Sequence, residues 1–334
     1  MSEAEIVAAT LWFALTAYAV LAGADFGGGV WDLLASGPHE AEQRRAVAEA
    51  MGPVWEANHV WLIFMIVGLF TGFPAAFGIL SMALYLPFTI ALVGIVFRGA
   101  AFAFRAHGRE EVGAASAWGV AFGGASVIAP FFMATGAAAV ASGSIRVSGG
   151  HLVSGFEAGW ATPYGLLVGL FAVAMCAYIA ATYLTVETEG TPLEGDFRRR
   201  AAVAGLVAGA AAITSLVLAP FAAPSLAHAL FGRGLPLLVI ALINGPIALV
   251  AVWRSRPRVA RIAVAAQVIF VLWAGAVGQW PYLVPPDLTI ADAAAPNATL
   301  TALLVVTGIG SLLLLPSLWF LFRVFKSRNP AAIY

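Results

Sequence analysis

The stretch MGPVWEANHVWLIFMIVGLFTGF at 51–73 decides how this chain is read. From Trp61 onward it is apolar enough for lipid hydrocarbon, yet it begins through Glu56, Asn58 and His59. Polar groups at one end of such a helix either sit at a membrane surface or line a polar interior.

The rest of the chain has the same character. Of its 334 residues, 61% are hydrophobic and 10% charged, where soluble domains are about half apolar and about a quarter charged. Mean hydropathy is +0.92. A hydrocarbon layer about 30 Å thick takes roughly 20 mostly apolar residues in a helix. Stretches of that kind run at 6–34, 53–74, 78–104, 113–140, 162–186, 200–222, 235–254, 259–279 and 299–325. The sequence therefore predicts an all-α, polytopic transmembrane protein of nine spans in one helical unit, 1–334, without a visible internal repeat. The N-terminus lacks a basic leader region, so the first helix is expected to stay in the mature protein.

If the spans alternate, fifteen of the seventeen basic residues fall on one side, leaving only Arg146 and Arg233 on the other. Cytoplasmic loops carry such an excess. The expected orientation is N-terminus outside and C-terminus cytoplasmic. Trp160, Trp280 and Tyr282 lie in the outer loops and fit interfacial anchoring.

Several function classes have no support. The formal net charge is zero and like charges form no long run, which argues against nucleic acid as a partner. The single cysteine, Cys176, lies in an apolar run and reads as packing. There is no Walker A loop. Haem ligation needs axial His, Met or Cys at membrane depth. His39, His107, His151 and His228 fall in or beside loops, leaving His59 alone on a span, so no metal site and no haem ligated by this chain are expected.

The alternation of spans brings the inner ends of the first three together. The first carries Asp25 and Asp32, seven residues apart and so on one helix face. The second carries Trp55, Glu56, Asn58 and His59, and the third carries Arg98 and Arg105. Asp25 is too deep for its short side chain to reach the surface, so it needs a partner, a proton or water. Arg98 is the natural partner for Asp25 or Glu56. Asp32 and Arg105, nearer the helix ends, read as charges reaching for the interface. Balanced carboxyls at such a depth can relay protons. The small residues of GGG at 27–29 allow helices to approach closely.

These residues carry a resemblance. GADFGGG at 23–29, GPVWEANHVWLI at 52–63 with FP at 73–74, FRGAAFAFR at 97–105 and WPYLVPPDLTIADAAAPNATLT at 280–301 resemble subunit II of the bacterial cytochrome bd quinol oxidases. The resemblance implies a multi-pass subunit of the bacterial cytoplasmic (inner) membrane, in an enzyme of the respiratory chain that oxidises quinol and reduces dioxygen to water without pumping protons. It implies that haem b and haem d are carried by a partner, subunit I, in a heterodimer, with small single-helix accessory subunits in some complexes. Some members hold a structural quinone in subunit II; no residue here places one. Asp25, Trp55 and Glu56 match positions that the family assigns to a cytoplasmic proton path, and Arg98 matches its FR arginine. With Asn58 and His59 they form the expected path, while no residue of this chain is expected to be catalytic. The chain departs from the pattern in Ala22, where an Asp is common, in GAD for GFD, in Glu56 for Asp, and in His59, where some members carry Gln. Two other readings compete: a secondary transporter with an intramembrane acidic site, whose sites usually lie at the midplane between repeats, and a purely structural subunit whose acids only form salt bridges.

Overall fold

The computed structural model describes residues 1–51, 55–107, 112–155 and 157–326. Its helices are α1 (Glu3–Leu33), α2 (Glu40–Met51), α3 (Trp55–Gly72), α4 (Pro74–Ala83), α5 (Tyr85–His107) and α6 (Val112–Ser142) in the first half. In the second half they are α7 (Pro163–Glu187), α8 (Leu193–Ala222), α9 (Pro224–Phe231), α10 (Leu235–Trp253), α11 (Pro257–Gln279), α12 (Ile290–Ala293) and α13 (Asn297–Lys326). Two short antiparallel hairpins complete the chain: β1 (Val147–Ser148) with β2 (His151–Leu152), and β3 (Tyr282–Val284) with β4 (Leu288–Thr289).

Helix ends follow local chemistry. Ser2 and Glu5 form a reciprocal capping box at the start of α1, Ser2 Oγ accepting from the Glu5 amide at 3.2 Å and Glu5 Oε2 from the Ser2 amide at 2.7 Å. Pro163 opens α7 behind Thr162, whose hydroxyl accepts from the Gly165 amide. Proline also sets two breaks. Pro74 has no N–H and disfavours a helical residue before it, so Phe73 leaves the helix at φ −139°, ψ 61° and α4 starts afresh. Ala223 before Pro224 does the same at φ −146°, ψ 66°.

Among the described residues, eight helices are long and apolar enough to cross a membrane, and nine when α2 and α3, bent by 52°, are taken as one span. α3 supplies the apolar part of that ninth span. The expected third span, 78–104, is corrected by the structure: α4 is a separate short helix and the spanning helix begins at Tyr85. The chain turns at Leu84, and the Ala76, Ile79 and Ala83 face of α4 packs with Val7 and Leu11 of α1.

The structure also reveals the repeat that the sequence hides. In α1, α3, α5 and α6 a long helix is followed by one that breaks at X-Pro into a short helix, and then by a packed pair. α7, α8, α10 and α11 repeat this, with α9 in the place of α4. α1 packs on α3 and α6 as α7 packs on α8 and α11, and α1 against α7 joins the two bundles. Both α1 and α7 end before a left-handed glycine, Gly37 at φ 84° and Gly190 at φ 81°. α13 lies at the side, with most of its surface uncovered.

The two ends of the molecule differ. At one end the start of α1, α4, the β3–β4 hairpin and the start of α13 share an apolar cluster around Phe73, Leu84, Val284 and Leu300. At the other, α2 lies across the turn between α1 and α3, burying Gln43, Val47 and Met51 at i, i+4 and i+8. Gln43 accepts from Arg200 at 2.7 Å and donates to Asp196 at 2.9 Å, which pins α2 to α8. The arginines concentrate at this end, hereafter the Arg-rich end.

Candidate functional site: a buried ion pair beside a cavity

Three consecutive glycines make the site. Successive residues on a helix point about 100° apart, so Gly27, Gly28 and Gly29 face three different neighbours. A methyl on Gly27 would overlap the Cys176 carbonyl of α7, on Gly28 the Met51 sulfur of α2, and on Gly29 the Ser126 hydroxyl of α6. Close approach on all three sides closes the protein around Asp25.

Asp25 is 3% and Arg98 2% exposed. The guanidinium is bidentate on the carboxylate, Nη1 donating to Oδ2 at 2.9 Å and Nη2 to Oδ1 at 2.8 Å. Nη2 also donates to the Asp25 carbonyl at 3.2 Å, and Nε to Ser126 Oγ at 2.9 Å. The Ser126 hydroxyl in turn donates to the Phe122 carbonyl at 2.7 Å. Phe26 and Phe122 lie against the guanidinium, with ring centroids 5.2 and 4.8 Å from Cζ. All three nitrogens are thus satisfied in a buried setting, the arrangement that arginine's planar fork suits and lysine's ammonium does not. Of the two partners expected for Arg98, the structure selects Asp25.

One helix turn pair nearer the Arg-rich end, the expectation for Asp32 and Arg105 is corrected. Asp32 does not reach for the interface; its side chain is fully buried. Arg105 donates to it from Nη1 at 2.8 Å and Nη2 at 3.1 Å, and Arg44 of α2 lies 3.6 Å away. The reason is α2, which covers the end of α1 and removes the water that Asp32 would otherwise meet. Asp25–Arg98 and Asp32–Arg105 are therefore two rungs of one ladder between α1 and α5, each spaced by seven residues.

The second-helix residues divide. Asn58 is buried, and its Nδ2 makes one long hydrogen bond to the Leu21 carbonyl, 3.4 Å. Among the described residues its Oδ1 has no hydrogen-bond partner. Asn58 also lines a cavity of about 120 Å³, together with Asp25, Met51, Tyr183, Glu187 and Arg261. That space accepts several waters; it is far too small for a porphyrin. His59 is half-buried, its ring 5.9 Å from that of Tyr18 and 6.1 Å from that of Phe26. Glu56, two positions and so about 200° from Asn58, is exposed on another face of α3. Trp55 opens α3 and its side chain lies outside the described residues, as do Gly52, Pro53 and Val54. The structure thus joins Asp25, Arg98 and Asn58, sets His59 beside them, and leaves Glu56 apart.

Sequence reasoning missed Ser126, Tyr183, Glu187 and Arg261. Ser126 carries no signal in its alanine- and glycine-rich helix. Glu187 and Arg261 end and begin helices 74 positions apart, and only the packing of α11 on α7 brings them together. Among the described residues no three His, Cys, Asp or Glu side chains converge on a metal-sized site.

Comparisons with known proteins agree with this architecture. The profile of the family described as cytochrome bd terminal oxidase subunit II matches residues 3–325. A Bacillus subtilis cytochrome bd ubiquinol oxidase subunit 2 is 28% identical over 186 residues, 54% of each chain, so the match spans about half the length of that relative. A second Bacillus subtilis protein, described as a cytochrome bd menaquinol oxidase subunit II, is 21% identical over 97% of this chain and 96% of its own length. The structure of bd oxidase from Geobacillus thermodenitrificans superimposes with a TM-score of 0.81 at 26% identity, covering 98% of this chain and all of that one. The chain belongs to the cytochrome bd terminal oxidase subunit II family, and is a multi-pass subunit of a terminal quinol oxidase in a bacterial cytoplasmic membrane.

Proposed function

We propose that this chain is the haem-free subunit of its oxidase and lines a proton inlet for the reaction 2 QH₂ + O₂ → 2 Q + 2 H₂O, where QH₂ is a quinol. A subunit II works with a subunit I partner in a haem-containing complex. In this proposal haem b and haem d both sit in subunit I, and the Arg-rich end faces the cytoplasm, as the distribution of basic residues favours. Small accessory subunits, membrane lipid and a structural quinone belong to the same reading.

The observation that carries the inlet is a cavity roomy enough for several waters that Asp25 and Asn58 both line, with Asn58 Oδ1 left without a hydrogen-bond partner among the described residues. A buried acceptor without a protein partner costs about 1–3 kcal/mol, which a water removes. Arg98 occupies two of the roughly four lone-pair directions of the Asp25 carboxylate, so two remain for water. Water held between Asn58 and Asp25 would then sit within the roughly 3 Å that proton transfer needs. Arg98 orients the carboxylate, and His59 bounds the site with Tyr18 and Phe26. In this reading Trp55 and Glu56, the first two residues of α3, continue the path toward the cytoplasm.

Asn58→Leu tests the reading in the complete oxidase. It replaces the amide with an apolar group of the same number of heavy atoms, removing its hydrogen-bonding atoms from the cavity lining. Haem content should be retained while oxygen consumption at saturating quinol falls; full turnover would remove the inlet. The purely structural reading is favoured by the complete pairing of Asp25 and Asp32, and Glu56→Gln separates the two, since packing alone predicts full activity. Secondary transport has the family assignment against it, although the repeat is present.

A further inference from the structure

From 197 to 286 the chain has no acidic residue, yet it carries eight arginines, all but Arg233 at the Arg-rich end. Four of them, Arg254, Arg256, Arg258 and Arg261, fall on the turn from α10 into α11 and the start of α11. The turn is tight. Arg254 caps α10, the Arg256 amide donates back to the Ala251 carbonyl at 2.8 Å, and Pro257 opens α11. Arg198 of α8 donates to the Ser255 hydroxyl, which fixes the turn to α8.

Most cations of this end are spoken for. Arg44 and Arg105 converge on Asp32, Arg45 meets Glu49, and Arg200 meets Gln43. On the turn itself Arg258 has Glu189 at 3.6 Å and Arg261 has Glu187 at 3.9 Å. Arg254 and Arg256 are exposed and form no ion pair among the described residues. The apolar neighbours are equally bare: Trp253 is 61% and Ile262 72% exposed, with Val259 one helix turn before Ile262 on the same flank of α11. Uncompensated arginines thus lie where two spanning helices end, beside side chains that suit acyl chains and a tryptophan that suits the headgroup level.

We propose that the α10–α11 turn binds the phosphate headgroup of an anionic membrane lipid through Arg254 and Arg256, with its acyl chains along Trp253, Val259 and Ile262. Guanidinium groups match phosphate oxygens in shape as well as charge. An anionic lipid is favoured over a zwitterionic one because the latter brings its own cation to a surface already rich in them. The site is independent of the proton inlet.

The test uses the complete oxidase in nanodiscs of phosphatidylcholine with increasing fractions of phosphatidylglycerol, read by hydrogen exchange in 254–262. The first amides of α11 have no intrahelical acceptor, so their exchange reports contact directly. Exchange there should slow as phosphatidylglycerol is added. The fraction needed for half-protection should rise about fivefold for each arginine removed, leaving Arg254→Gln/Arg256→Gln hardly protected. Both side chains are exposed, so haem content should match the parent. Arg254→Lys/Arg256→Lys should keep most of the protection, since ammonium groups also bind phosphate. Arg45→Gln/Arg323→Gln removes the same charge away from the turn and should behave as the parent. Parental exchange that is equal in both kinds of disc overturns the proposal. A loss in Arg45→Gln/Arg323→Gln as large as in Arg254→Gln/Arg256→Gln also overturns it, because net charge alone would then be read. So does equal protection by inorganic phosphate in pure phosphatidylcholine discs, which would make the turn a site for free anions.

Discussion

Removing the charge of Arg98 while keeping its bulk puts the core of the site to the test. In Arg98→Met the unbranched side chain still fills the slot between Phe26 and Phe122, where sulfur and ring contacts are favourable. What is lost is the bidentate bond to Asp25, the bond to its carbonyl and the bond to Ser126. Asp25 is left 3% exposed with no cation. Breaking a buried pair from one side costs about 3–5 kcal/mol, whereas replacing both members with apolar groups of similar volume is often neutral. Arg98→Met should therefore destabilise by about 4 kcal/mol, and Asp25→Leu by a similar amount because Arg98 is stranded. The double variant should recover most of this, leaving it within about 1 kcal/mol of the parent and giving a coupling of about 7 kcal/mol. Unfolding of the purified complex in mixed detergent micelles, followed by far-UV circular dichroism and haem retention, measures the cycle. A double variant as unstable as Arg98→Met alone would refute the argument that an uncompensated Asp25 is the source of the loss. Oxygen consumption adds a second reading: the double variant should assemble and remain slow, since the cavity has lost its inner carboxyl.

Two further predictions follow from the close approaches and the hairpins. Gly27→Ala meets the Cys176 backbone, which cannot move aside, whereas Gly28→Ala meets the end of the flexible Met51 side chain. The first should cost about 1–3 kcal/mol by overpacking and the second less, and equal thermal stability of the two would contradict the packing account. At the other end, Arg146 donates to Asp287 from Nε at 2.7 Å and Nη2 at 2.9 Å, tying the hairpin of β1 and β2 to that of β3 and β4. The bond from Arg146, with the Val147 amide, holds the Asp287 carboxyl below the usual carboxylate range. A depressed folded-state pKa contributes stability above the unfolded value and loses it only as pH falls through the folded one. Hydrogen exchange in 145–155 should accordingly stay protected from neutral pH down to about pH 4 and rise below it, while Asp287→Asn should show raised exchange at neutral pH.

Much of this was legible because lipid imposes simple rules. A span must satisfy its own backbone, so each shows as a long apolar run, and seven of the nine expected runs coincide with single long helices to within a few residues, while α8 begins earlier, at Leu193, and α5 later, at Tyr85. Asp25 and Arg98 could be paired on paper because alternating spans put them at one depth and a buried charge demands a counter-charge. The same logic failed for Asp32. It treated the ends of α1 and α5 as wet, and α2, an amphipathic helix of charged outer face, was not foreseen in the connection that covers them. The repeat escaped for a different reason: its two copies share a Pro break and a glycine turn, but Asp25 and Arg98 occur in the first copy alone, and composition elsewhere is uniformly apolar.

What the sequence by itself determined is the membrane class, the number and approximate limits of the spans, the sorting of arginines to one end, and a family resemblance carried by a few polar motifs. These are consequences of burial in one dimension, along each helix. The tertiary structure alone decided which faces meet: that Asn58 lines the cavity while Glu56 is exposed on another face, that three glycines admit three neighbours, and that Glu187 and Arg261 share the lining. A helix that is apolar nearly all round carries little record of its rotation, so only the packing of its small residues fixes which polar groups share water.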